Sequence, residues 1–333
     1  MVSKDFISPE FDWSKEEYDD LLNLAYSFKE KVAQGQDISK ILKNKTLFML
    51  FYAASLRTRT GFEAAMTDLG GHAQMITPES IFTQEGVQDI ARVLSTYGHG
   101  IAIRVWGKMF NFHYEKGNAL LRDFAKWADI PVISMEDDMF HPHEALEELM
   151  TIKDKFKKLK GLKVVYSWAY APSPWKPVSV PQSLITIWTK YGMDVTLAHP
   201  KGLDLDSNII ENCRKNASES GGSFSITNDM KEALKGANVV HAKNYMVLKM
   251  APPNTNNYDE TAARELCAKY KDWIMDQKNF DLLDSKRLYL HCLPADRGFE
   301  VTNDVIDGPD SGVWLNQKNR PYAKKAILTS VMK

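Results

Sequence analysis

The chain has 333 residues, 44% hydrophobic and 26% charged, a globular composition long enough for about two domains. Its 42 basic and 43 acidic residues leave a formal charge of -1, which argues against a general nucleic-acid binder with a basic excess. No segment approaches the ~20 uninterrupted apolar residues of a membrane span. The N-terminus lacks a signal-peptide apolar core. Cys213, Cys267 and Cys292 fit neither a disulfide frame nor a zinc knuckle. A cytoplasmic protein is expected.

In chain order, helical periodicity runs from Asp12 to about Gly35, with "SKEE" as a capping start. "KTLFMLFYAA" (45–54) predicts a buried strand, followed by "SLRTRTGFEAAM" (55–66), which turns helical. "GHAQMI" is a strand, "GVQDIARVLSTYG" a helix, "GIAIRVW" a strand, "GNALLRDFAKWAD" a helix and "IPVISM" a strand. "HPHEALEELMTIKDKFKKL" is a long helix. The alternation then resumes with "LKVVYSWAY", "MDVTLAHP", "SFSITND", "NVVHAKNY" and "LYLHCLP" as strands. Helices are expected over "VPQSLITIWTKYG", "SNIIENCRKNASES" and "MKEALKGA", with "NRPYAKKAILTSVM" last. The stretch 250–279 is polar and irregular. Two blocks of strand–helix alternation, divided near Leu159–Lys163, predict two α/β domains, each a parallel sheet flanked by helices.

Ligands of open parallel sheets collect at the carboxyl ends of the strands. Those ends carry Ser55-Leu56-Arg57-Thr58-Arg59, Arg104, Glu136 and His141-Pro142-His143-Glu144 in the first block. In the second they carry the stiff loop "APSPWKPVSVP", Lys243-Asn244 and His291-Cys292-Leu293-Pro294. Two arginines at a helix start cost local electrostatic energy unless an anion joins them. Hydroxyls, amides and guanidiniums suit a phosphate. A solvated basic helix start is the plain alternative for "SLRTRT", a helix-capping histidine for His141 and an ordinary buried thiol for Cys292. His141 and His143, with one spacer, make a poor helical chelate, so no metal site is expected. A nucleotide-binding dehydrogenase is disfavoured because no G-x-G-x-x-G follows an early strand.

Four stretches in order, "SLRTRTGFEAA", "EGVQDIARVLSTYGHGIAIR", "FHP" and "LHCLPADRGFEVTNDVIDGP", resemble the motifs of the aspartate/ornithine carbamoyltransferases, over essentially the whole chain. The resemblance implies a two-domain, cofactor-free enzyme, usually a homotrimer with active sites between subunits. Domain 1–150 would bind carbamoyl phosphate, with helix 316–333 packing back on it. Domain 151–315 would bind the amine acceptor. By motif match, Ser55, Leu56, Arg57, Thr58 and Arg59 would hold the phosphate. Thr58, Arg104 and His141 would surround the carbonyl oxygen, and Arg297 would also face carbamoyl phosphate. Arg57, Thr58, Arg104 and His141 are thereby implied as catalytic. Glu136, Lys243, Cys292 and Leu293 are implied as acceptor contacts.

No S-M-G motif of the ornithine enzymes occurs. "AKNY", "RVWGKMFN" and "ISMEDDMFHP" are similar to the N-acetylornithine and N-succinylornithine branch. The proline loop most resembles a further paralogue group whose chain, like that branch, is knotted in the second domain. Two positions depart from the pattern. The family's H-P-x-Q reads His141-Pro142-His143-Glu144, so Glu144 stands where an uncharged amide would face the carbamoyl group, near the phosphate charge. "TPESIFTQEG" lacks the tryptophan that the acyl-ornithine enzymes supply from a neighbouring subunit. The resemblance implies carbamoyl transfer from carbamoyl phosphate to a primary amine of an ornithine-like amino acid or derivative. An N-acylated ornithine, a 2,3-diaminopropionate-type acceptor and a non-catalytic binding protein are the alternatives.

Overall fold

A computed structural model describes residues 4–77, 85–252 and 257–333. Most of "TPESIFTQEG" therefore lies outside the described residues. The chain divides into two compact units. The first comprises residues 1–110, 115–146 and 319–333, and the second 111–114 and 147–318. The division falls inside a helix rather than after it, and four residues of the first block belong with the second unit.

The first unit opens on α1 (Lys15–Ala33), whose start is the capping box legible in the sequence. Ser14 accepts from the Glu17 amide while Glu17 accepts from the Ser14 amide. There follow β1 (Thr46–Phe51), α2 (Leu56–Asp68), β2 (His72–Ile76), α3 (Val87–Tyr97), β3 (Gly100–Arg104), α4 (Lys116–Trp127), β4 (Val132–Glu136) and α5 (Pro142–Phe156). The strands make a parallel sheet in the order β2-β1-β3-β4. Residues 47–51 are buried on both faces, as a covered parallel sheet demands. Phe48, Leu50, Ile101, Ile103 and Val132 form one side of a core with Leu94, Leu121 and Phe124 from α3 and α4.

The second unit contains β5 (Lys163–Ser167), α6 (Ser179–Lys190), β6 (Asp194–Ala198), α7 (Ser207–Ser220), β7 (Ser223–Thr227), α8 (Met230–Leu234), β8 (Val239–Ala242), α9 (Glu260–Ala268) and β9 (Leu288–Leu290). Its parallel sheet runs β7-β6-β5-β8-β9. The last helix, α10 (Val313–Met332), begins earlier than predicted and carries Pro321 in its interior. Both sheets reverse direction of winding once, at β1/β3 and at β5/β8. Ligand crevices open at such reversals. No described helix is long and apolar enough to cross a membrane.

Candidate active site

In the first unit, Ser55 has extended backbone and its Oγ accepts from the Thr58 amide at 3.3 Å, capping α2. It also donates to the Thr58 hydroxyl at 3.0 Å. The first turn carries no acid, so the helix amides and Arg57 leave positive potential there. Thr58 is buried, whereas Leu56 is 75% exposed. Arg59 runs along the outer face to Glu63, 2.9 Å away.

Phe51 of β1 stands beside Arg104 of β3, and a register shift sets Arg104 opposite Glu136 of β4. Arg104 and Glu136 form a buried ion pair. Glu136 adopts φ 141°, a backbone region that side chains rarely take. His141 Nε2 is 3.5 Å from the same carboxylate. Burial holds the His141 pKa well below its ordinary value, and His143, Arg104, Arg320 and Lys324 push the same way. His141 is therefore neutral at pH 7. The His143 Nε2–H donates to the Met135 carbonyl at 2.9 Å, and its ring meets that of His141 at 4.2 Å.

Glu144, in the first turn of α5, is fully buried and ion-paired with Arg320 of α10. One turn along α10, Lys324 is also fully buried, its ammonium 5.5 Å over the Phe62 ring. Its stem lies against Gly61, where a β-carbon would come within 2.9 Å of Lys324 Cε. Buried Arg104 at the end of β3 and buried Arg320 and Lys324 on α10 lie in one unit with the buried carboxylates Glu136, Asp137, Asp138 and Glu144. Cations gathered in the unit that also holds an acid-free helix start suit an anion. Neither Arg320 nor Lys324 was anticipated as a site residue. Their spacing of four puts both on one face of the last helix, which is the signal that could have found them.

The "MEDD" acids divide their work. Glu136 pairs with Arg104, while Asp138 accepts from the Gly117 and Asn118 amides at 3.0 Å each. Asp137 accepts from the Met139 and Phe140 amides at 2.8 Å. These two aspartates cap α4 and fold the turn after β4.

In the second unit, the ends of β5, β8 and β9 are knitted together. Asn244 donates to the Ala169 carbonyl at 2.9 Å, Trp168 to that of Tyr245 at 3.2 Å, and the Met246 amide to that of Lys176 at 2.7 Å. Lys243 is buried and donates to the Pro294 carbonyl at 3.2 Å. Cys292 is buried and in no disulfide, and Leu293 has φ 57°. Lys243, Cys292 and Leu293 therefore share one strand-end cluster. Arg297 does not join it, because its guanidinium is bound by both oxygens of Asp307 (2.5 and 2.9 Å) and by Asn303 at 2.7 Å. Among the described residues, no group of three or more His, Cys, Asp or Glu could hold a metal ion.

Residues 4–154 match the family described as aspartate/ornithine carbamoyltransferase, carbamoyl-P binding domain. Residues 160–331 match its Asp/Orn binding domain. The chain belongs to the aspartate/ornithine carbamoyltransferase family. Anabolic ornithine carbamoyltransferase of Pyrococcus furiosus is 37% identical over 328 residues, covering 96% of this chain and 94% of that protein. N-acetylornithine carbamoyltransferase of Xylella fastidiosa is 32% identical over 349 residues, covering 99% of both. Among solved structures, ornithine carbamoyltransferase from Pyrococcus furiosus has a TM-score of 0.86 at 35% identity, over 99% of this chain and 97% of that one. Acetylornithine transcarbamylase complexed with acetylcitrulline has a TM-score of 0.89 at 30% identity, over 99% of each chain. The family and the doubly covered parallel sheets are those the motifs implied.

Proposed function

We propose that this family member transfers the carbamoyl group of carbamoyl phosphate to a primary amine of an ornithine-like amino acid or N-acyl derivative. The observation that carries the reading is the set of buried cations in the first unit, which also holds an acid-free helix start. The first unit is the donor side. Ser55, Arg57, Thr58 and the α2 amides hold the phosphate, and Arg320 adds a guanidinium beside Glu144. Thr58, Arg104 and neutral His141 stabilise the carbonyl oxygen as it gains charge. The second unit is the acceptor side, with Lys243, Cys292 and Leu293 at its core.

The neutral amine nitrogen attacks the carbonyl carbon and a C–N bond forms. The bond from that carbon to the bridging oxygen breaks, and phosphate leaves. The nitrogen's surplus proton departs with hydrogen phosphate. Catalysis is by positioning and electrostatics, with no covalent enzyme intermediate. Relatives resembling this chain include structures named with carbamyl phosphate and N-succinyl-L-norvaline, and with acetylcitrulline, which favours an acylated acceptor as a reading beside free ornithine. The enzyme is read as a cytoplasmic homotrimer.

The test is a colorimetric assay for ureido product with carbamoyl phosphate and a panel of ornithine, N-acetylornithine, N-succinylornithine and 2,3-diaminopropionate. Product with one of these amines is expected. Absence of product with every amine, alongside carbamoyl phosphate binding by calorimetry, would instead support a binding protein without turnover, the reading that the Glu144 carboxylate favours.

A further inference from the structure

Glu300 is fully buried in the second unit, yet it is a carboxylate with four donors around it. Its Oε1 accepts from the Asn244 amide at 2.7 Å and lies 2.8 Å from the Lys176 ammonium. Its Oε2 accepts from the Asp296 amide at 2.7 Å and faces His291 Nε2 at 3.3 Å. Each donor belongs to a different strand-end segment or to an opposite end of the same one. Lys176 sits in the proline loop after β5, Asn244 in the turn after β8, and His291 and Asp296 bracket the Cys292–Pro294 turn after β9. Lys176 also reaches Asp296 at 2.7 Å.

The protonation states fit this arrangement. The Leu293 amide donates to His291 Nδ1 at 2.9 Å, so the hydrogen of the neutral ring sits on Nε2, aimed at Glu300. Burial drives the His291 pKa down to about 3, with Lys243 adding to the effect. For Glu300, burial works to raise the pKa, but Lys243, the His291 hydrogen bond and Lys176 outweigh it and hold it well below the ordinary range. The carboxylate is ionised at neutral pH. Burying such a charge is costly unless its lone pairs are met. Here its oxygens meet donors from all three loops.

We propose that Glu300 is the positioning residue of the acceptor half-site, fixing Lys243, the proline loop through Lys176, and the Cys292–Pro294 turn in one register. Glu300 does not touch the amine. It sets the places of groups that do, and the inference rests on reading the second unit as the acceptor side.

The experiment compares the wild-type enzyme with Glu300→Gln, Glu300→Asp and Lys176→Met. Glu300→Gln turns one acceptor oxygen into a donor facing donors. It is expected to raise the KM of the best amine in the panel roughly tenfold or more, while the Kd of carbamoyl phosphate stays within about twofold. Hydrogen exchange should quicken together in 172–178, 244–247 and 293–299. Glu300→Asp should be intermediate. Lys176→Met removes one donor and guards against a Glu300 variant that fails to fold; its faster exchange should centre on 172–178. Unchanged amine KM and exchange in folded variants overturn the proposal. So does a parallel loss of donor and amine binding, which marks general destabilisation. If the wild type carbamoylates no amine, the functional reading fails, and the exchange pattern alone then decides whether Glu300 joins the three loops.

Discussion

Glu144 and Arg320 form a buried ion pair between the first turn of α5 and the interior of α10. The pair explains how a carboxylate occupies the position where the motif carries a glutamine. Its charge is met by a guanidinium within the same unit before any ligand arrives. Glu144→Gln should therefore lower the stability of the unliganded enzyme by about 3 kcal/mol, because it removes the carboxylate charge that meets the buried Arg320 guanidinium. Carbamoyl phosphate should bind the variant more tightly and restore much of the loss. Thermal unfolding with and without carbamoyl phosphate measures both, and a ligand-induced shift no larger than in the wild type would mean that Arg320 does not face the donor.

Arg104 and Glu136 make a second buried pair, on neighbouring strand ends. Arg104→Ala removes the proposed oxyanion donor and takes from Glu136 its guanidinium partner. A fall in kcat of ~10²–10³ is expected, the usual scale for one such donor. Arg104→Lys should recover little, since an ammonium cannot reproduce the planar fork. Full activity in the lysine variant, read from steady-state kinetics, would argue for simple charge.

His141 should not titrate in the working range. Its pKa in the folded protein lies well below the ordinary value of 6.5 because burial and neighbouring cations disfavour the charged ring. A pH profile of kcat/KM for carbamoyl phosphate should show no inflection near 6.5. The same shift affects stability. The unfolded chain binds more protons than the folded one below about 6.5, so the histidine's contribution is present above that pH and lost as pH falls toward the folded pKa. Urea unfolding at a series of pH values, in wild type and His141→Asn, isolates that slope.

Gly117 and Asp138 offer a test away from the chemistry. A β-carbon at 117 would lie 2.8 Å from Asp138 Oδ1 and 3.0 Å from the Val105 carbonyl, so Gly117→Ala should cost about 1–3 kcal/mol. Burial raises the Asp138 pKa to about 6, against the lowering effect of the Gly117 and Asn118 amides. The folded protein then holds this proton more tightly than the unfolded chain between pH ~4 and ~6. Its stabilising share is complete below that window and declines as pH rises through it, opposite in sign to His141. Asp138→Asn should flatten this part of the stability profile.

The alternation of strands and helices was legible because apolar spacing changes between the two. Strand ends were read too long at "SWAY", "AKNY" and "LHCLP". Most of those residues are buried, but the backbone leaves the sheet at Ser167, Ala242 and Leu290, and apolar content does not separate a strand from a buried turn. The last helix is expected over "NRPYAKKAILTSVM", whereas α10 begins at Val313 and runs through Pro321. The positions of Ser55, Arg104, Glu136 and His141 at strand ends followed from periodicity. The partners of those residues did not. The pairing of Glu136 with Arg104 is set by sheet register, and that of Glu144 with Arg320 joins segments far apart in the chain. Nothing local marks Glu300, between Phe299 and Val301, because the donors around it come from three separate loops.

The placement of Lys324 against Gly61 bears on the order of events during synthesis. Residues 319–333 belong to the first unit, although they are made after the whole of the second. The second unit needs nothing beyond Lys318. A nascent chain can therefore complete its second unit while the first still lacks the helix that closes it. Residues 55–61 remain without their lysine neighbour until synthesis has passed Lys324. Proteolysis of stalled chains should find the later-encoded unit protected first.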